Sequence, residues 1–130
     1  MLRKVLFAKI HLATVTAACP DYVGSITIDL DILDATGIRV SDAVLVANHR
    51  NAARFETYVF PGERGSGKIE VNGAAAHLVE KGDRVIIFHY AHMTDEEYWA
   101  HRPPVALMTP DNRVQDVIHY EPGPHPERDR

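Results

Sequence analysis

The dipeptide Gly24-Ser25 lies between two segments with strand-like sequences and could do chemistry on its own backbone. Gly24 has no Cβ, so the backbone can adopt strained conformations in which the Ser25 hydroxyl approaches the preceding carbonyl. Attack of that hydroxyl would shift the acyl group from nitrogen to oxygen, and β-elimination of the ester would cut the chain. Residue 25 would then carry a pyruvoyl group. Most Gly-Ser pairs are simply turns, so the surrounding residues must decide.

Two predicted strands carry polar side chains at spacings that suit a binding site. Lys9 and His11 are two positions apart and therefore share one face of the first strand. On a later strand, Arg54 and Tyr58 share a face, and Thr57 points to the other. An ordinary structural interpretation stays open for both groups, either as a solvated strand face or as an exposed cross-strand pair.

A third group is the run Asn72-Gly73-Ala74-Ala75-Ala76, a turn followed by a possible helix start. Small residues with free amides at such a junction suit a carboxylate or an oxyanion. The same run is most often only a turn. Ile86 lies in the apolar run Val85-Ile86-Ile87-Phe88, which predicts a buried strand.

Composition excludes several classes of function. The chain has 130 residues, enough for one domain, and a net charge of −4 without a Lys/Arg run, which argues against nucleic-acid binding. No apolar run approaches the ~20 residues that cross a bilayer. The single Cys19 fits a reducing compartment, so we expect a cytoplasmic protein. Lys9 and His11 interrupt the apolar stretch before Cys19, which disfavours a signal peptide.

Two further catalytic classes lack their motifs. The eight histidines match no standard zinc spacing, so we expect no metal. Ser25 is not part of a G-x-S-x-G elbow, which argues against a serine triad.

Hydrophobic alternation predicts a compact, mainly β single domain with about seven short strands and a few short helices. The predicted strands are 3–16, from 26, 44–46, 55–60 ended by Pro61-Gly62, 68–71, 85–88, 105–108 and 114–120. The predicted helices are 29–36 ended by Gly37, 74–79, and one capped by Thr94 that stops at Pro103-Pro104. The Pro-rich, charged tail 121–130 is predicted to be disordered.

In order and spacing, many of these residues resemble the pyruvoyl-dependent aspartate 1-decarboxylases, from Met1 to about Pro104. The matching segments are Lys9-Ile10-His11, Val15-Thr16, Tyr22-Val23-Gly24-Ser25, Ile28-Asp29, Arg54-Phe55-Glu56-Thr57-Tyr58, Glu63-Arg64-Gly65-Ser66, Asn72-Gly73-Ala74-Ala75-Ala76-His77, Gly82-Asp83 and Met93-x-Asp95-Glu96.

The resemblance implies a double-psi β-barrel over residues 1–120, cleaved into 1–24 and 25–130, and a homotetramer with sites between subunits. It implies decarboxylation of L-aspartate to β-alanine for pantothenate synthesis, with a pyruvoyl cofactor from Ser25 that forms a Schiff base with the substrate. The roles it implies are processing by Gly24, Ser25 and Thr57, proton donation by Tyr58, and substrate binding by Lys9, His11, Arg54, Thr57, Asn72, Gly73, Ala74, Ala75 and Ile86.

The sequence departs from the family pattern at three places: Cys19-Pro20 before the cleavage loop, Ala47 near the expected pocket, and the segment beyond Pro104. These departures could alter the processing rate or the shape of the pocket. Glutamate or cysteate as substrate, and an unprocessed barrel without catalysis, stay open as alternatives. The sequence does not say whether a maturation partner is needed.

Overall fold

The computed structural model describes residues 1–123, which form one small, mainly β domain, as predicted. The strands are β1 (Arg3–Thr14), β2 (Ala17–Cys19), β3 (Ser25–Asp29), β4 (Ala43–Asn48), β5 (Arg54–Gly62), β6 (Ile69–Asn72), β7 (Arg84–Met93), β8 (Pro104–Met108) and β9 (Val114–His119). The helices are α1 (Leu30–Thr36), α2 (Asp95–Ala100) and a 3₁₀ helix, Ala74–Leu78. Most of the tail predicted to be disordered, residues 124–130, lies outside the described residues.

The strands form a single mixed sheet in the order β2-β6-β3-β5-β4-β7-β1-β8-β9. The Asn112 side chain, in the turn between β8 and β9, donates to the carbonyls of Thr14 and Gly67 at 2.7 and 2.8 Å. These bonds hold the β8–β9 edge of the sheet close to the start of β6, which lies next to the opposite edge strand β2. The arrangement is compatible with a barrel-like fold.

Alternation along the strands separates a core face from an outer face. Ile10, Ile26, Val46, Val59 and Ile87 have no exposed surface and point into the core. Burial of each such side chain contributes about 1.5–3 kcal/mol. Residues in between, on the other side of the same strands, form the outer face, where the predicted site residues lie.

Both predicted helix starts are confirmed. The Asp29 carboxylate caps α1 by accepting from the amide of Asp31, and Gly37 ends the helix with a φ of 76°. Asp29 also accepts from the amides of Gly65 and Gly67. Burial alone would raise the pKa of Asp29, but these amide bonds lower it below its usual value. Thr94 and Glu97 form the predicted capping box of α2.

Several element boundaries differ from the predictions, and β7 (Arg84–Met93) is much longer than the predicted 85–88. The first strand ends at Thr14 instead of residue 16, and α2 ends at Ala100, before the prolines. β5 continues through Pro61-Gly62, which pair in parallel with Ile28 and Asp29 of β3. Within residues 1–123, β4 pairs with β5 only as far as Tyr58, so beyond it one edge of β5 has no strand partner and tolerates proline.

An ion pair between the half-exposed Arg50 and the buried Asp83 connects the end of β4 to the start of β7. The Asp83 carboxylate accepts from Nε and Nη2 of Arg50 at 2.7 and 3.0 Å, and from Nδ2 of Asn48 at 2.8 Å. The Arg50 bonds, with those from Asn48 and the Glu80 amide, lower the pKa of Asp83 to about 2. Asn48 also donates to the carbonyl of Leu78, so this network holds the 3₁₀ helix that follows β6.

We expect Asp83→Asn to lower the free energy of unfolding by about 1–3 kcal/mol at pH 7, because it removes a charged acceptor from buried donors. Since the folded-state pKa is depressed, the contribution is complete above the ordinary value of 3.8 and disappears as the pH falls through about 2. Urea unfolding at pH 7, 4 and 2.5 should therefore show the difference shrinking. Asp116→Asn on exposed β9 is the control, and a pH-independent difference would contradict the prediction.

Within residues 1–123, no helix has the length and apolar character needed to cross a membrane.

Candidate active site

Ser25 begins β3 and is held beside the last residue of β6. Ser25 pairs with Asn72 across the antiparallel β3–β6 ladder, and both are at least 95% buried. The Asn72 Nδ2 donates to Ser25 Oγ at 3.1 Å and to Thr27 Oγ1 at 3.2 Å. The amide thus fixes the position of the Ser25 hydroxyl, as a self-processing nucleophile requires.

The segment before Ser25 passes over the end of β6. Cys19 of β2 pairs with Asn72 on one side and Ser25 pairs with it on the other, so residues 20–24 must cross between them. The amide of Gly73 donates to the Cys19 carbonyl at 2.9 Å. Gly73 has a φ of 83°, and a Cβ there would lie 2.6 Å from the Cα of Gly24. The backbone at the Gly24-Ser25 bond therefore rests directly on Gly73.

We expect Gly73→Ala to slow chain cleavage at least tenfold, because the new methyl group would push Gly24 away from its position. Gly82→Ala is a matched control: Gly82 also has a positive φ, 96°, but no atom lies within 4 Å of the Cβ it would gain. The fraction of cleaved chain, followed over time by denaturing gel electrophoresis, measures the effect. Equal cleavage rates in the two variants would contradict the role assigned to Gly73.

Ser25 opens onto a pocket with a volume of about 240 Å³. Its lining residues are Tyr22, Val23, Ser25, Tyr58, Phe60 and Asn72. The pairing of Ile26 with Val59 brings the start of β3 beside Tyr58 of β5. The Tyr58 ring is 42% exposed, so its hydroxyl is accessible to a ligand.

Sequence reasoning did not assign four residues of this site, Tyr22, Val23, Thr27 and Phe60. Strand periodicity could have found two of them, because Thr27 and Phe60 are two positions beyond Ser25 and Tyr58 and share their faces. Tyr22 and Val23 belong to a loop, where periodicity carries no information.

A second group of predicted binding residues lies elsewhere on the same outer face. Arg54 of β5 pairs with Ala47 of β4, and Ala47 pairs with Ile86 of β7. Ile86 in turn lies opposite His11 of β1. The small, buried Ala47 therefore lies in this row between Arg54 and Ile86.

Lys9 lies two residues before His11 on β1, beside this row. It pairs with Phe88, and its Nζ lies 5.3 Å from the centre of the Phe88 ring. Such a cation–π contact fixes the ammonium group on the outer face and leaves its hydrogen-bonding capacity for a ligand. Lys9, His11 and Arg54 together make this part of the face suitable for binding carboxylates.

The two groups lie on different parts of the sheet. Arg54 and Tyr58 are four residues apart on β5, a Cα separation of about 13 Å. Lys9 on β1 is four strands from Ser25 on β3, about 19 Å along the sheet. The chain thus brings Ser25, Tyr58 and Asn72 together and keeps Lys9, His11, Arg54 and Ile86 in a separate group.

The remaining predicted site residues have different surroundings. Thr57 is half-buried on the opposite face of β5 from Tyr58 and makes no side-chain hydrogen bond within residues 1–123. The sequence predicts a free amide at Gly73, but this amide donates a hydrogen bond to the Cys19 carbonyl. Ala74 is exposed and Ala75 is half-buried at the start of the 3₁₀ helix.

Among residues 1–123, no group of three or more His, Cys, Asp or Glu side chains is placed to hold a metal ion. The lining of the pocket supplies the hydroxyl of Ser25, the amide of Asn72 and the phenol of Tyr58.

Comparison with known proteins gives consistent relatives. The sequence model of the aspartate decarboxylase family matches residues 1–115, so the similarity extends past Pro104. Aspartate 1-decarboxylase of Geobacillus sp. (strain WCH70) is 53% identical over 123 residues, covering 95% of this chain and 97% of that protein. Aspartate 1-decarboxylase of Neisseria meningitidis is 52% identical over 96% of this chain and 98% of that protein. Aspartate 1-decarboxylase of Staphylococcus aureus (strain MW2) is 55% identical over 92% and 94%.

Proposed function

Because this chain belongs to the aspartate decarboxylase family, it decarboxylates L-aspartate to β-alanine for pantothenate synthesis, and we propose that it does so through a pyruvoyl group made from Ser25. The observation that carries this proposal is the buried Ser25 hydroxyl, which is fixed by Asn72 at the edge of a pocket that also contains Tyr58. The intact mass of the purified protein tests the proposal.

Cleavage begins with attack of the Ser25 hydroxyl on the Gly24 carbonyl. The elimination that follows leaves a carboxylate on Gly24 and dehydroalanine at position 25, which loses ammonia on hydrolysis to give the pyruvoyl carbonyl. The family resemblance makes Thr57 the proposed donor to the Gly24 oxygen as it becomes tetrahedral. Its hydroxyl has no partner among residues 1–123, and it lies on the opposite face of β5 from Tyr58. Thr57→Val should then cleave more slowly than Thr57→Ser.

The residues around Ser25 fit a pyruvoyl group. Asn72 Nδ2, which donates to the hydroxyl in the uncleaved chain, is placed to donate to a carbonyl oxygen at the same position. When present, the group supplies an electrophile for the substrate amine and a sink for the electron pair released with CO₂. Tyr58 is the proposed proton donor to the former α-carbon, because its hydroxyl reaches the same pocket.

Arg54, Lys9 and His11 are the proposed binding residues for the substrate carboxylates. Arg54 can hold a carboxylate with two parallel hydrogen bonds, whereas Lys9 acts as a single charge. A monocarboxylic amino acid would leave one of these cations unpaired, which costs about 2–5 kcal/mol if the site is dry. Glutamate, one methylene longer, would be disfavoured by only about 1–3 kcal/mol. Parallel assays with aspartate, glutamate and cysteate measure this preference.

We propose that the active site is completed by a second copy of the chain, in a homotetramer. The separation along the sheet between Lys9 on β1 and Ser25 on β3 supports this. The exposed apolar rim of the pocket supports it too: Tyr22, Val23 and Phe60 are 64, 73 and 52% exposed. A cytoplasmic location is part of the proposal, supported by the single Cys19.

Co-production of Arg54→Met and Tyr58→Phe chains tests the shared site. Each variant alone should be nearly inactive, but a mixed tetramer would contain sites with an intact Tyr58 from one chain and an intact Arg54 from another. Random assembly predicts recovery of roughly a quarter of normal activity. The control is a mixture of the two variants purified and assayed without exchange of subunits. No recovery in co-produced tetramers would show that both residues act within one chain.

A further inference from the structure

Strand β1 contains a bulge beside the proposed carboxylate-binding residues. Ile10 pairs with Ile87 and Ala13 pairs with Val85, so two residues of β1, His11 and Leu12, lie opposite the single residue Ile86. Leu12 has a φ of 60°, a left-handed conformation that a branched side chain rarely adopts. A bulge of this kind redirects the side chains that follow it.

The bulge decides which side chains reach the outer face. Ile10 and Ala13 are three residues apart and would point to opposite faces of a regular strand, yet both are fully buried. The extra residue at the bulge lets His11 point outward while Ala13 and Val15 return to the core. Without the bulge, β1 could not keep Ala13 in the core and His11 on the outer face at the same time.

Arg84 holds this bulge in place. Its Nε and Nη2 donate to the Leu12 carbonyl at 3.0 and 2.5 Å, so one guanidinium group binds one carbonyl oxygen twice. Arg84 is itself fixed on β7, where it pairs with Thr14, and its carbonyl accepts from the amide of His49 at 2.9 Å. Charged donors make such bonds stronger than ordinary backbone bonds.

The His11 ring has one buried nitrogen, Nδ1, that makes no hydrogen bond within residues 1–123. Hydrogen bonds from this nitrogen therefore do not hold the ring in its orientation, and the backbone at the bulge must do so. The neighbouring residue on β8, Leu107, pairs with His11 and has no titratable group.

We propose that Arg84 is a positioning residue: by holding Leu12 in its left-handed conformation, it orients the His11 imidazole towards the carboxylate of the substrate. The inference rests on the proposed function, which gives His11 a binding role. Arg84 does not itself contact the substrate in this account. It acts through the backbone of the residue next to His11.

The charges around His11 support this arrangement. Burial lowers the pKa of His11 first, and the nearby positive charges of Lys9, Arg84 and His49 lower it further. The imidazole is therefore kept neutral near pH 7, with one nitrogen as donor and the other as acceptor. Removal of the Arg84 charge should raise the pKa of His11, whereas Arg84→Lys should keep it low.

The test compares Arg84→Met, Arg84→Lys and His11→Ala in the matured enzyme, with the double variant Arg84→Met/His11→Ala. We expect Arg84→Met to raise KM for aspartate about tenfold while kcat stays within about threefold, and His11→Ala to raise KM similarly. The double variant should show no further rise, because Arg84 acts through His11. Arg64→Met, which removes an exposed charge bonded to Asp31 and Asp34, controls for net charge.

NMR titration of the His11 ring gives a readout independent of activity. We expect an upward shift of the His11 pKa in Arg84→Met and a smaller shift in Arg84→Lys. The KM of Arg84→Lys should lie between that of the unchanged enzyme and that of Arg84→Met.

If His11→Ala raises KM and Arg84→Met does not, or if their effects multiply in the double variant, the inference is overturned and the binding role of His11 stands. If His11→Ala leaves KM unchanged, both are overturned. If Arg84→Met does not fold, Arg84→Lys decides the question. A normal KM and an unchanged His11 position by NMR in Arg84→Lys would then overturn the inference.

Discussion

Replacement of Ser25 with alanine is expected to give a folded, full-length chain without decarboxylase activity. The variant lacks the hydroxyl that attacks Gly24, so neither cleavage nor the pyruvoyl carbonyl can form. Loss of the bond from Asn72 leaves one buried donor with a single acceptor, Thr27, so we expect a stability loss of only about 1 kcal/mol. Denaturing gel electrophoresis and the aspartate assay measure the two outcomes.

Ser66→Ala is the control for Ser25→Ala. Ser66 lies in the exposed turn before β6, and its hydroxyl bonds only its own turn, so this variant should cleave and turn over normally. Any aspartate decarboxylation by purified Ser25→Ala would refute the assignment of the cofactor to this residue.

Replacement of Tyr58 with phenylalanine is expected to leave cleavage intact and to lower kcat by about 10²–10⁴-fold, the usual contribution of a positioned proton donor. Phenylalanine keeps the ring that lines the pocket and removes only the hydroxyl. The two fragments should therefore appear at the normal rate, and kcat for aspartate should fall much more than KM rises.

Tyr22→Phe provides the matched control, since Tyr22 lines the same pocket and has a similarly exposed ring. It should retain kcat within about threefold, because no proton transfer is assigned to it. If Tyr22→Phe loses as much turnover as Tyr58→Phe, the phenol groups act in shaping the pocket and the proton donor must be sought elsewhere.

Much of the fold could be predicted because its signals are local. Asp29 and Thr94 mark helix starts through their side-chain caps, and Gly37 marks a helix end through its positive φ. The course of β5 through Pro61 could not be predicted, because it depends on which neighbouring strand is present at that point. Non-local pairing decides such boundaries, and sequence periodicity does not report it.

The site was predictable in its residues and less so in its geometry. Period-2 spacing placed Arg54 and Tyr58 on one face, which the strand confirms, but spacing does not say that only Tyr58 lines the pocket beside Ser25. The contact between Gly73 and Gly24 and the use of the Gly73 amide by Cys19 both arise from strands that meet only in the fold. The bond from Arg84 to Leu12 joins residues 72 apart in sequence and is equally invisible to local patterns.

The intact mass of the purified protein tests the central claim most directly. The account predicts two species, residues 1–24 and residues 25–130, with a carbonyl at the start of the larger one. Borohydride in the presence of an amine should attach the amine to that fragment alone, with loss of one water and gain of two hydrogens. A single full-length species after long incubation, or a larger fragment that begins with an unmodified serine and takes up no amine, would contradict the account.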